Sequence, residues 1–277
     1  MLRLKSQSSK NDFFIDNQGN SCVDSAKDYL LVLTACIDPS TGPARVVRSD
    51  PFVRLKDYSS ALKFWLVNPD PRLRSILFLE NSGHSLDVLK ELAATHNPFD
   101  KRVEFIQLHN NDYPPFVDYG YPELEMLDLG LESSELVKRS GYFIKVTGRL
   151  AFPTISSLLN RLPPTYLFAV DCRIPMLPRG KTPAVYASLM IFSVSFYRAN
   201  LMDIKSRMND VLSNTETMLY LKLMDYAGRP GAILRWPVQV SPVGYSAHWG
   251  TNYGSPLRRA KDAIRQVSRR VLPDLWI

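Results

Sequence analysis

The sequence predicts an α/β fold with a mostly parallel sheet and helices on both faces. Short, continuous apolar runs at 29–37, 75–80, 103–108 and 142–147 read as strands covered on both sides, which leave no face for polar alternation. Between them lie segments whose apolar residues recur at helical spacing. Strand and helix alternate in this way over roughly 140 residues, the pattern of a parallel sheet with crossover helices. Composition agrees: 45% hydrophobic and 22% charged residues over 277 positions describe a globular chain, neither disordered nor fibrous. Cys22, Cys36 and Cys172 stand far apart with no CxxC, which argues against a disulfide scaffold or a zinc ribbon.

Residues 1–27 are mostly polar and read as a loose lead-in, with the FFI segment at 13–15 as a docking point. YLLVLTACI opens the ordered chain and ends at Asp38-Pro39. Asp50 then caps a helix with Pro51 at its first position, and Leu55, Tyr58, Leu62, Trp65 and Leu66 mark its buried face. After SILFLE, Ser85 caps a second helix carrying Leu86, Leu89 and Leu92. VEFIQL is the third strand. A Tyr- and Pro-rich loop leads to a helix expected over 122–139, followed by YFIKVT, a short helix at SSLLNRL, and a fifth strand at TYLFAVDC, 165–172. Beyond Arg173 the pattern changes: IPMLPRGKTP is a loop, YASLMIFSVSFY a long strand or strand pair, 201–226 a helix, ILRWPVQV a last strand, and 257–271 a basic helix. The divisions are 1–27, 28–173, 174–256 and 257–277.

Parallel sheets bind ligands at the carboxyl ends of their strands. Thr34 and Ala35 close the first strand, Glu80 and Asn81 the second, and Thr147 and Arg149 the fourth, which also carries Lys145; Asp171 and Arg173 end the fifth. This set suits a nucleoside diphosphate. An amide or carboxylate holds ribose or base, cations meet the diphosphate, and an Asp can bind a divalent metal. Each position also has a plain structural reading, since acids cap strand ends and arginines pair with them. No GxxxxGK[ST], strand-linked GxGxxG, GxSxG or HExxH occurs, which sets aside the commonest phosphate loops, the hydrolase elbow and the zinc-protease helix. His84 and His109 fall just beyond strands, and His248 lies in the aromatic GYSAHWG loop.

The segments LLVLTACI, ILFLENSG, IKVTGRL and YLFAVDCR together resemble bacterial glycosyltransferases of the GT-A type, which use nucleotide sugars to build capsule or lipopolysaccharide. The resemblance spans roughly 28–250 and implies a Rossmann-like sheet with an elaborated C-terminal part. It makes 28–173 the nucleotide-sugar half and 174–256 the acceptor side. It also implies an Asp-x-Asp pair holding manganese or magnesium on the diphosphate. Here the pair is Asp171-Cys172-Arg173, so the second acid is an arginine. Two readings follow: Asp171 with His248 binds the metal, or Arg173, with Arg179 or Lys181, neutralises the diphosphate without one. The metal-assisted reading is the one favoured. The inverting enzymes of this type carry a carboxylate base at a helix start, for which Asp210 and Glu216 are the candidates, Glu216 fitting better.

The chain carries +7 and an isoelectric point near 9.3, so it attracts anions. Its last helix concentrates this charge. Leu257, Ala260, Ile264, Val267 and Val271 form one stripe among Arg258, Arg259, Lys261, Arg265, Arg269 and Arg270. The stripe either packs on the body with the arginines solvated, or rests on anionic lipid. With no spanning apolar run and no secretory leader, the expectation is a cytoplasmic protein, peripheral on the inner membrane in the second case. The partners expected are a nucleotide sugar and a glycan or lipid-linked acceptor. A nucleic-acid-binding protein is the rival from another class, but no RNP, KH, helix-turn-helix or zinc-finger pattern supports it. A nucleotidyltransferase is a third reading; its glycine-rich, lysine-containing loop is missing from CIDPSTGPARVVRSD.

Overall fold

All seven residues of β1, Tyr29–Ala35, are buried, as a strand inside a doubly covered sheet must be. The computed structural model describes residues 27–43, 46–174, 182–209, 212, 214–272 and 275–277, so Cys22 and the FFI segment lie outside the described residues. In chain order the elements after β1 are α1 (Pro51–Leu66), β2 (Ser75–Glu80), α2 (Asp87–Thr95), β3 (Arg102–Gln107), α3 (Gly120–Ser133), β4 (Tyr142–Thr147) and α4 (Ile155–Leu159). The second half supplies β5 (Phe168–Ala169), β6 (Cys172–Arg173), β7 (Ala184–Val185), β8 (Leu189–Ser193), α5 (Val194–Asn200), α6 (Thr215–Met224), β9 (Ala232–Ile233) and α7 (Pro256–Val271).

Seven strands form one sheet in the order β3-β2-β1-β4-β8-β5-β9. β1 is parallel to β2 and β4, and β2 to β3. Only β8, among the described strands of this sheet, runs against its neighbours β4 and β5. The chain moves from β1 outward through β2 and β3, then returns to place β4 on the other side of β1. That reversal makes the carboxyl ends of β1 and β4 a topological switch point, where the crossovers diverge and leave a crevice.

The sheet divides the core in two. Leu31 and Leu33 of β1 face a cluster with Tyr58, Leu62 and Trp65 of α1, Leu89 of α2 and Leu158 of α4. Leu30 and Val32 face the other side, against Leu124 and Leu127 of α3, Tyr197 of α5 and Leu219 of α6. Helix α1 starts as its sequence requires: Asp50 accepts from the Phe52 and Val53 N–H groups, with Pro51 following. It is anchored at its far end by Trp65, whose Nε1 donates to the Leu150 carbonyl at 3.1 Å.

The second half corrects several expectations. TYLFAVDC is not one strand; it forms β5 and then, after a break at Val170-Asp171, β6 in a separate two-stranded ribbon with β7. YASLMIFSVSFY is β8 followed at once by α5, because Ser193 turns the chain and its hydroxyl caps Phe196 N–H. The helix expected at 201–226 is α6 alone, preceded by a 3₁₀ turn at Ile204–Arg207. Most of ILRWPVQV is loop, with β9 only two residues long. Helix α3 ends at Ser133, and Ser134 and Glu104 tie down the turn that follows. The stripe of α7 does not pack on the body: Leu257, Ile264, Val267 and Val271 are all exposed, while Arg269 is buried.

Candidate functional site

A cavity of about 340 Å³ opens at the carboxyl ends of β1 and β4. Thr34, Ala35 and Cys36 form its floor, with Asn81 on the β2 side and Thr147 and Arg149 on the β4 side. Gly148 allows the two strand ends to meet. Its N–H donates to the Thr34 carbonyl at 2.8 Å, and a Cβ there would lie 2.8 Å from that same oxygen. The opposite wall comes from four places: Asp118 and Tyr119 before α3, Thr215 and Glu216 opening α6, Arg173 and Tyr186 of the ribbon, and the late loop with His248 and Trp249. Arg258 of α7 completes it.

Asp118 joins two of these walls. It accepts from Gly120 N–H at 2.9 Å, from Thr215 Oγ1 at 2.7 Å and from Thr215 N–H at 3.1 Å. Gly120 lets α3 approach this closely, since a Cβ on it would meet Thr215 Oγ1 at 2.2 Å. Burial raises the Asp118 carboxyl, and these hydrogen bonds only partly oppose it. Glu123 sits one turn into α3. Its Oε1 accepts from Thr34 Oγ1 and pairs with Lys145 Nζ, each at 2.7 Å. Burial works to raise the Glu123 carboxyl, but Lys145 and the Thr34 hydroxyl outweigh it and hold the group below the usual range.

Glu216 has the opposite balance. Burial, with Asp118 beside it, raises its carboxyl despite a hydrogen bond from Ala187 N–H and the nearby charges of Lys145 and Arg173. It lies in the first turn of α6, which Asn214 caps by accepting from Thr217 N–H at 2.9 Å. Burial, followed by Glu216, Asp118 and Glu123, pushes the Tyr119 hydroxyl up to about 12, so it remains a donor. Burial likewise pushes the Cys36 thiol up to about 11, which leaves it unreactive near neutral pH. Arg173 stacks on Tyr186 with its guanidinium 3.9 Å from the ring centre. The buried polar atoms on the walls without a hydrogen-bond partner among the described residues include Asn81 Oδ1, Arg173 Nη2 and His248 Nδ1.

Eight of the residues expected at the site line this cavity: Thr34, Ala35, Asn81, Thr147, Arg149, Arg173, Glu216 and His248. Three do not. Glu80 is fully buried and spends its carboxylate on Ile37 N–H at 2.9 Å, Ser82 N–H at 3.0 Å and His84 N–H at 3.2 Å, fixing the turns after β1 and β2. Lys145 is buried behind the floor, held by Glu123 and by the Ala187 carbonyl at 2.8 Å. Asp171 is also fully buried: both its oxygens lie 2.7 Å from Arg269 Nη2, and Oδ2 is 2.6 Å from Arg173 Nε. Asp210, Arg179 and Lys181 lie outside the described residues.

The expected manganese or magnesium site on Asp171 and His248 does not fit this arrangement. Two guanidinium groups occupy the space beside Asp171 that a cation would need, and His248 is set between the rings of Tyr119 and Trp249. Among the described residues no three His, Cys, Asp or Glu side chains converge on a metal position.

Asp118, Tyr119, Tyr186, Trp249 and Arg258 belong to the cavity without having been picked from the sequence. Asp118 carried one available signal, an acid directly before Tyr-Gly and a helix, although the Tyr- and Pro-rich stretch hid where that helix begins.

No family model matches the chain, and no curated protein matches it. Solved structures do. A cytidylyltransferase from Leptospira borgpetersenii is 10% identical, with 77% of each chain covered and a TM-score of 0.42. Core-mannan synthase A from Aspergillus fumigatus, in its Mn/GDP form, is 11% identical over 96% of this chain and 91% of its own, with a TM-score of 0.43. The mannosyltransferase Ktr4p from S. cerevisiae, in complex with GDP, is 12% identical over 80% of this chain and 66% of its own, with a TM-score of 0.39.

Proposed function

We propose that the chain is a glycosyltransferase that binds a nucleotide sugar in the cleft beyond β1 and β4. One observation carries the reading: Glu216, a carboxyl raised by burial, shares a cavity with Arg173, whose Nη2 has no hydrogen-bond partner among the described residues. A raised carboxyl is a stronger base, and an open guanidinium donor is suited to a phosphate oxygen. Asn81 Oδ1 adds an acceptor for a ribose hydroxyl or a base N–H, and the rings of Tyr119, Tyr186 and Trp249 offer stacking surfaces for a base or sugar.

In this reading Glu216 takes the proton of the acceptor hydroxyl as its oxygen bonds to the anomeric carbon. The bond from that carbon to the diphosphate breaks, and the electron pair leaves with the diphosphate. Arg149 and Arg173 meet the charge that develops there. The acceptor we propose is a glycan or lipid-linked glycan of a surface polysaccharide, capsule or lipopolysaccharide, as the LLVLTACI and IKVTGRL segments suggest.

The direct test is a donor screen. Thermal stabilisation by UDP, GDP or CMP, followed by release of free sugar from the matching nucleotide sugar, is expected. Absence of stabilisation by every nucleotide, with salt-sensitive retention of DNA or RNA, would move the chain to the nucleic-acid-binding class.

A further inference from the structure

Helix α7 is amphipathic in the reverse sense to a helix packed on a protein core. Its inward face is polar. Arg269 is buried against Asp171 and the Trp236 carbonyl, and Asp262 pairs with Arg265 at 3.1 Å. Gln239 accepts from Arg269 and has its own N–H bonded to Gln266. Its outward face is apolar: Leu257 is 68% exposed, Ile264 49%, Val267 60% and Val271 68%. Ala260 and Ala263 lie exposed between them. A soluble chain gains nothing from presenting such a stripe to water, so it is an interaction surface.

The charges beside the stripe identify its partner. With 3.6 residues per turn, Arg259 and Arg270 fall along one border and Lys261 along the other, and all three are exposed. A shallow groove on the Arg259 and Arg270 side also contains Arg161, Thr154 and Ser157. Asp262, the one acid among the described residues of the helix, is turned inward onto Arg265 and Gln239. An apolar stripe with cations on both borders, and no acid, matches the boundary between acyl chains and anionic headgroups. The helix has 16 residues, about 24 Å at 1.5 Å per residue, and no described helix is long and apolar enough to cross a membrane.

We propose that α7 lies flat on an anionic lipid surface, its stripe in the acyl boundary and Arg259, Lys261 and Arg270 among the headgroups. The same helix builds part of the cleft. Arg258 lines the cavity directly, and Arg269 holds Asp171, which in turn holds Arg173. The helix proposed to face lipid therefore also supplies and supports one wall of the site. This proposal does not depend on the transferase reading, and its test measures no activity.

The test is sedimentation of the full chain with vesicles of phosphatidylcholine containing phosphatidylglycerol, and with phosphatidylcholine alone. Binding to the anionic vesicles is expected, falling as salt rises. Changing Arg259, Lys261 and Arg270 together to Gln should weaken it roughly a hundredfold. Ile264→Asp with Val267→Asp should remove binding at every salt concentration while leaving the melting temperature unchanged, because both side chains are exposed. No sedimentation of the wild-type chain, equal sedimentation of wild type and either variant, or equal binding to phosphatidylcholine alone overturns the proposal. So does a concentration-dependent dimer in light scattering that the two aspartates dissolve, since the face then joins two copies of the chain.

Discussion

At Glu216 burial and Asp118 push the carboxyl up while Ala187 N–H, Lys145 and Arg173 pull it down, and burial prevails. If the ionised form is the base, activity rises with pH through a midpoint above the ordinary glutamate value of about 4.3. Glu216→Gln should lower kcat by roughly 10²–10⁴-fold, abolish that limb of the pH profile and leave nucleotide affinity nearly unchanged. A retained limb would assign it to another group. Asp171 leads to a different expectation. Removing its charge leaves Arg173 and Arg269 buried without a counter-ion, so Asp171→Asn should cost about 3–5 kcal/mol in urea unfolding. Lost activity at wild-type stability would return Asp171 to the cleft. Both residues stand where simple sequence rules look, one at a helix start and one at a strand end, yet only Glu216 reaches the cavity. What sequence could not supply was Arg269, 98 residues further on, which claims the Asp171 carboxylate. Glu80 was misread for the same reason, because its partners are backbone N–H groups of turns that composition does not reveal.

The meeting of β1 and β4 depends on a single position. A methyl group at Gly148 would sit 2.8 Å from the Thr34 carbonyl, a backbone atom that cannot turn aside. Gly148→Ala should therefore push the β4 end away from β1, cost roughly 1–3 kcal/mol and weaken nucleotide binding, read by thermal melting and calorimetry. Unchanged values of both would show that the two strand ends are free to separate. The parallel strands β1, β2 and β4 were legible because each is buried on both faces and reads as a nearly unbroken apolar run. Even the edge strand β3, half-exposed, kept enough of the pattern in VEFIQL. The later elements were not, since an apolar run does not reveal a turn inside it: LMIFSVSFY changes from β8 to α5 at Ser193, whose hydroxyl caps the new helix. The stripe of α7 was legible as a stripe, but its direction was not. That direction is set by Asp171 and Gln239, two polar partners on other elements that draw the arginine side inward.

The molecule as a whole rests on a few carboxylates that are more acidic folded than unfolded, and these set its response to acid. Burial works to raise Asp70, but Arg72 and Ser156 overcome it and bring the carboxyl to about 2. Asp171 follows the same logic: burial pushes upward, and Arg173 and Arg269 pull it below the ordinary range. A group depressed in the folded state stabilises it fully above the unfolded value, about 3.9 for aspartate, and that stability is lost as pH falls through the folded value. Asp118 and Glu216, raised in the folded state, act in the opposite direction and favour the fold slightly more as pH drops toward 4. The two groups of acids therefore separate along the pH axis. Stability should change little between pH 7 and about 4, then fall steeply below about 4 as Asp70 and Asp171 take up protons. The two ion pairs also anchor different regions, Asp70 and Arg72 the entry to β2, and Asp171 with its arginines the junction of ribbon, cleft and α7. Asp70→Asn should lower neutral stability and flatten the acid limb without touching the cleft, whereas Asp171→Asn should do both and also loosen Arg173 within the site. Urea unfolding of wild type and the two variants from pH 7 to 2, each with and without a bound nucleotide, separates these effects. A wild-type curve that rose steadily as pH fell from 7 to about 3 would mean that the raised carboxyls, rather than the arginine-paired ones, govern the acid stability of the fold.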